Sequence, residues 1–327
     1  MPAGAAKRRT GFPSGRVTKK LTAPILITMG EPAGIGPEVA LAAFETLGGR
    51  VGNHPLKLVG DAKLFAARSD ALIPTHASLR ARPGDPDPAN APAVIEAIEI
   101  AAAACMAGSA AAMVTAPIHK AVLMESGFPH PGHTEFLGRL TGAERAVMML
   151  ASEALRVVPL TVHIPLAQVP AAIDTDDLVQ TCEIVLDSLR RDFAIASPRI
   201  AVAGLNPHAG EEGRLGEEDL TIIAPAVSTM VKRGQRVRGP LPADTLFHGE
   251  ARQSYDAAIT MYHDQGLIPI KTLSFWDAVN VTLGLPIVRT SPDHGTALDI
   301  AGTGKADARS MIAAIKMAAA MADARAR

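Results

Sequence analysis

Three histidines occupy matching places in the local pattern: His163 closes RVVPLTVH, His208 follows RIAVAGLNP, and His263 follows DAAITMY. Each is expected just past the carboxyl end of a strand, where open α/β sheets bind ligands, so three imidazoles from separate strands can converge on one metal ion. A lone histidine in such a place is more often a structural hydrogen-bonder. Three of them, each in a Gly-, Pro- or Asp-rich loop (HIP, NPHAGEEG, YHDQG), favour metal ligation. The settings of His54, His76, His119, His130 and His248 are loop-like or charged and call for no special role.

Two cations stand apart from the solvated majority. Lys271 follows the apolar run LIPI and Arg289 lies in PIVRT. A cation directly after an apolar, strand-like run is less often a surface charge than one in a helical i, i+4 array, so both are candidates to hold a phosphate or carboxylate. Asn280 in AVNVTLG is a polar residue inside a strand-like segment and needs a partner. GHTEF offers His133 and Thr134; Thr134 can equally cap a helix beginning at Glu135, and the two roles are compatible. In GEPAGIGPEV, Gly30, Gly34 and Gly36 precede a helix opened by Pro37. The spacing is not the dinucleotide GxGxxG, and the loop is either an anion cradle at a helix N-terminus or a tight βα turn. DHGTALDIAGTGKAD, ahead of the last helix, has the same two readings.

The elements that must position these residues alternate. Strand-like runs are PILITM, LKLVG, AAMVTAP, AVMML, RVVPLTVH, RIAVAGL and DAAITMY. Helical patterns cover PEVALAAFETL and residues 90–107, 176–193, 217–233 and 305–325. That rhythm predicts an α/β fold with a mostly parallel sheet and crossover helices. With 327 residues the chain exceeds the usual size of one core, so two domains are expected. A content of 48% apolar and only 3% aromatic residues suits a core of small and branched side chains.

The formal net charge of -1 provides no global field for nucleic acid or anionic lipid, so neither is expected as a partner. Cys105 and Cys182 show no CxxC spacing and read as reduced, buried thiols of a cytoplasmic protein. Residues 1–22 read as a flexible basic tail without an apolar run, not a secretory signal. The uncharged stretch from Ile100 is Ala-rich and interrupted by Gly108 and Ser109, so it reads as a buried helix, a turn and a strand rather than a membrane span.

Several longer blocks occur together: GEPAGIGPE, GHTEFLG, GLNPHAGEEG, GPLPADTLF, YHDQGLIPIK and NVTLGLPIVRTSPDHGTALDIAG. In this order, and from about residue 24 to the end, the sequence resembles the 4-hydroxythreonine-4-phosphate dehydrogenase family of vitamin B6 synthesis. The resemblance implies a two-domain fold like isocitrate and isopropylmalate dehydrogenases, with residues 23–130 plus 271–327 as a first domain and 131–270 as a second. It also implies a homodimer whose interdomain active site the partner subunit completes. Carried over by position, the metal ligands fall on His163, His208 and His263. The substrate contacts fall on His133, Thr134, Lys271, Asn280 and Arg289. Gly34, Gly36, His294, Gly295, Thr296 and Asp299 sit in the loops that resemble the cofactor side, the second loop being the better nucleotide candidate.

The implied reaction is NAD- or NADP-linked oxidation of the C3 hydroxyl of 4-phosphohydroxy-L-threonine. The β-keto acid product then loses carbon dioxide to give 3-amino-2-oxopropyl phosphate. Nitrogen ligands suit zinc or cobalt better than magnesium, although substrate oxygens can shift that choice. Lys271, Asp244 and Asp264 are the candidate proton-transfer groups, unranked because geometry comes before pKa. Two departures, Glu212 for a common glycine and the segment TLSFWDA, fall near the expected pocket. They keep open an alternative substrate, a phosphorylated four-carbon sugar acid such as 4-phosphoerythronate. A metal-dependent phosphohydrolase is the rival from another class, disfavoured by the two glycine loops; a non-catalytic binding protein is a third reading.

Overall fold

The computed structural model describes residues 22–130 and 132–327, so the basic tail expected over residues 1–22 lies outside the described residues except for Thr22. The described strands are β1 (Ile25–Thr28), β2 (Arg50–Val51), β3 (His54–Gly60), β4 (Leu72–Pro74), β5 (Ala112–Thr115) and β6 (Val147–Ala151). They continue as β7 (Arg156–Pro159), β8 (Arg199–Ala203), β9 (Arg236–Leu241), β10 (Ala257–Thr260), β11 (Val279–Leu283) and β12 (Arg289–Pro292). They join in one sheet of order β2-β3-β1-β5-β12-β11-β6-β7-β10-β8-β9, with β4 pairing β3. Most neighbours run parallel; β11 is antiparallel to both β12 and β6, and β6 to β7. The α/β architecture with a mostly parallel sheet is the class the alternating pattern predicts. Strands from residues 25–115 and 279–292 make up one half of the order, and those from 147–260 the other.

Helices cover both faces, which is why β1 and β5 are buried at every position. The Ala91–Met106 helix buries Ala93, Val94, Ala97, Ile98 and Ala101 at helical spacing and packs on β1, β3 and β5. Pro88–Met106 is long and apolar enough to cross a membrane, but its buried stripe is that of a core helix. The Thr175–Phe193 helix is started by Asp174, whose carboxylate accepts the N–H groups of Asp176 and Asp177 at 2.8 and 3.0 Å. It stops where Ala194 turns left-handed at φ 54°.

Four expectations change. The run LIPI is not a strand: it belongs to the His263–Leu273 helix, with Pro269 inside. An interior proline costs a helix about 3 kcal/mol, and burial of Gly266, Leu267 and Ile270 against β7 and β10 offsets it. Gly266 is needed for that approach, since a Cβ there would lie 2.8 Å from Thr260 Oγ1. Strand β7 ends at Pro159, and the chain reaches His163 through a bend tied to the end of the neighbouring strand β10 by Leu160 N–H to Thr260 O at 2.7 Å. The last helix begins at Arg309, not residue 305, and β9 is an edge strand that the pattern did not reveal. Cys105 is half-buried and Cys182 buried, both are free, and burial pushes each thiol up to about 12.

Candidate active site

A cleft of about 380 Å³ opens at the centre of the sheet, and His133, Thr134, His163, His263, Lys271, Asn280, Arg289, His294 and Gly295 all line it. They come from distant parts of the chain. They are carried on or beside β5, β12, β11, β6, β7 and β10, which are consecutive neighbours in the sheet, and so they meet at one cleft.

Arg289 is 3% exposed at the start of β12. Its guanidinium donates to Thr115 Oγ1 through Nε at 3.1 Å and Nη2 at 2.6 Å, and to Thr282 Oγ1 through Nη1 at 2.9 Å. No carboxylate among the described residues pairs with it. Burial pushes its pKa down to about 10, which leaves it a cation at neutral pH with an unmet need for an anion. Lys271 differs: its Nζ lies 2.8 Å from Asp293 Oδ2, also on the cleft wall. Asn280 pairs in register with Ser291 and Leu150, and its side chain joins the cleft.

The helix His133–Thr141 starts two residues earlier than Thr134-capping requires. Gly132 is its N-cap and supplies no side chain, so Thr134 lies within the first turn and faces the cleft. His133 Nε2 is buried without a hydrogen-bond partner among the described residues. Burial, then the nearby charges of Arg289 and Lys120, hold its pKa well below the ordinary 6.5, so it is neutral. Lys120 was not foreseen from the sequence. It lines the cleft, and its Nζ would lie 3.6 Å from a Cβ at Gly132. Its only sequence signal is that it opens a helix directly after the β5 loop.

His163 and His263 rings are 5.8 Å apart between centroids, a distance two imidazoles can have about one ion with metal–nitrogen bonds of about 2.0–2.1 Å. Burial, then Lys120 and His263, lower the His163 pKa, which keeps the ligand form. His263 Nδ1 is 2.7 Å from Asp264 Oδ1, which leaves Nε2 for a metal. Asp264 is thus an orienting carboxylate, 69% exposed, outside the cleft lining. Two imidazoles are donors of the kind a zinc-type ion takes, and a third protein ligand is needed to complete its usual set.

His208 does not join them, and among the described residues no three His, Cys, Asp or Glu side chains stand close enough to hold one ion. β7 and β10 are neighbours, so their loops meet, whereas β8 lies beyond β10. His208 is exposed in a left-handed run at φ 52°, in a loop pinned by the buried Asp219 carboxylate, which accepts from Leu205 N and Asn206 N at 2.9 and 3.1 Å. Asp244 is exposed just after edge strand β9, packed beside that loop and away from the cleft.

The two glycine loops meet each other. Ile35 N–H donates to Thr296 O at 2.9 Å, and a Cβ on Gly34 would lie 2.7 Å from the same oxygen. Gly36 faces Met29 O at 2.5 Å in the same sense. Close packing therefore explains Gly34 and Gly36, while His294 and Gly295 reach the cleft and Asp299 is exposed beyond it.

The model of the family of pyridoxal phosphate biosynthetic protein PdxA matches residues 41–318. The chain belongs to this family. It is 54% identical to the 4-hydroxythreonine-4-phosphate dehydrogenase of Roseobacter denitrificans, the match covering 92% of this chain and 98% of that protein. It is 48% identical to the protein of the same name from Bradyrhizobium diazoefficiens, at 92% and 98% coverage. Among solved structures, the 4-hydroxythreonine-4-phosphate dehydrogenase of Klebsiella pneumoniae superposes with a TM-score of 0.81 at 37% identity, covering 92% of this chain and 100% of that one.

Proposed function

We propose that the chain is a metal-dependent, NAD(P)-linked dehydrogenase that oxidises 4-hydroxythreonine 4-phosphate at C3, the product losing carbon dioxide to give 3-amino-2-oxopropyl phosphate. The observation that carries this reading is Arg289, a buried cation with no carboxylate partner among the described residues, facing the same cleft as the histidine pair His163 and His263. A phosphorylated substrate supplies the missing anion. Lys271 Nζ, paired with Asp293, donates to a second substrate oxygen, and Asn280 and Thr134 fix the remaining polar groups.

His163 and His263 would hold zinc, cobalt or magnesium. When bound, the ion supplies Lewis acidity at the C3 hydroxyl and the nicotinamide of NAD or NADP accepts the hydride. His294 and Gly295 are the groups of the second glycine loop best placed toward that cofactor. His208 and Asp244 share the outer edge of the sheet, which suits a homodimer in which each reaches the other subunit's cleft. On this reading residues 23–130 with 271–327 and residues 131–270 act as two domains around the cleft, and the reduced thiols suit the cytoplasm.

A reduced-cofactor absorbance assay over phosphorylated four-carbon hydroxy acids, with and without chelator, tests this. We expect chelator-sensitive turnover with kcat/KM for 4-hydroxythreonine 4-phosphate above that for 4-phosphoerythronate. Equal or better use of the sugar acid overturns the substrate. Release of inorganic phosphate without cofactor reduction overturns the reaction class.

A further inference from the structure

We infer that Thr115 and Thr282 are positioning residues for anion recognition: their neutral hydroxyls fix the Arg289 guanidinium while leaving its positive charge for the ligand. The three residues come from three adjacent strands, β5, β12 and β11. Val281 pairs antiparallel with Thr290, so the next step of the register sets Thr282 directly opposite Arg289. On the other side Arg289 pairs with Met113, and Thr115 is two residues further along β5 and so on the same face. The cation is therefore gripped from both sides, at three nitrogens, by two hydroxyl oxygens.

A buried guanidinium is ordinarily matched by a carboxylate, which satisfies its N–H groups and cancels its charge together. Hydroxyls do only the first. Thr115 is fully buried and Thr282 is 3% exposed, so water cannot screen the charge from that side. The side open to an anion is the cleft, which both Thr115 and Arg289 line. Rotation of the guanidinium is prevented because Nε and Nη2 share one acceptor while Nη1 has another. The result is a fixed, uncancelled charge aimed at the substrate.

This rests on the proposed dehydrogenase reading for its substrate, and three variants test it. Thr282→Asp puts a carboxylate, reaching one bond further from the backbone than the hydroxyl, against Nη1. We expect its melting temperature to equal or exceed the wild-type value while the KM for 4-hydroxythreonine 4-phosphate rises on the order of tenfold or more and the cofactor KM stays unchanged. A purely structural role moves stability and binding in the same direction. Thr115→Val should also raise substrate KM, and Thr115→Ser, which keeps the acceptor, should restore it.

Inorganic phosphate gives a second readout without turnover. Phosphate should raise the melting temperature of the wild-type holoenzyme and leave that of Thr282→Asp unmoved. A wild-type KM together with an unaltered phosphate shift in Thr282→Asp overturns the inference, as does failure of Thr115→Ser to recover what Thr115→Val loses. Wild-type protein that does not oxidise this substrate sinks the functional reading instead, and the phosphate shift still decides the role of the two threonines.

Discussion

Lys271 Nζ sits 2.8 Å from Asp293 Oδ2 on the wall of the cleft in which Arg289 has no carboxylate partner among the described residues. Two cations of one site thus stand in opposite electrostatic states. Lys271 belongs to a pair that is neutral as a whole, whereas Arg289 presents its full charge. Replacing each should have different consequences.

Lys271→Met leaves Asp293, whose side chain is only 15% exposed, as an uncompensated anion on the wall of a site that binds an anion. We expect a rise in substrate KM larger than loss of one contact explains. The double variant Lys271→Met, Asp293→Asn should recover part of the loss. A double-mutant cycle on KM measures that coupling, and additivity of the two single effects excludes it.

The separation of His208 from His163 and His263 leads to a complementation test. His163→Ala and His208→Ala chains should each lose bound metal and activity while remaining folded. If the partner supplies His208, randomly mixed dimers regain about a quarter of wild-type activity, because half are heterodimers with one intact site. Metal content and rate measured after mixing decide it; no recovery means that each chain must use its own His208.

Acid stability should report on His133. Burial holds the folded imidazole neutral well below 6.5, whereas the unfolded one takes up a proton as pH falls through about that value. The unfolded state then binds more protons, so stability is full above 6.5 and is lost progressively as pH drops. His133→Gln should flatten the decline between neutral pH and pH values below 6.5 in urea unfolding, relative to wild type. Parallel curves for the two proteins would show that His133 does not carry the dependence.

Gly34→Ala introduces a Cβ that would lie 2.7 Å from Thr296 O, a backbone atom that can give way only if its loop moves. The second glycine loop must shift, carrying His294 and Gly295 with it. Cofactor KM should rise more than substrate KM in initial-rate kinetics. The reverse order would separate this loop from cofactor binding.

The amino-acid sequence by itself determined the alternation of elements and singled out His163 and His263, after two strands, and the cation Arg289. These are legible because β-branched runs and Gly- or Asp-rich turns are local signals with local causes. It also contained the block pattern by which the family is recognised. What it did not contain is proximity. Nothing in the spacing of Thr115, Thr282 and Arg289 shows that three adjacent strands set them face to face. The exclusion of His208 likewise depends on β8 lying one strand beyond β10. The run LIPI became a helix because Gly266 allows close packing on Thr260, a tertiary contact that outweighs Pro269. Strand order and burial arise from how the whole chain satisfies its core, so the electrostatic state of Arg289 and Lys271 was decided only when the chain was folded.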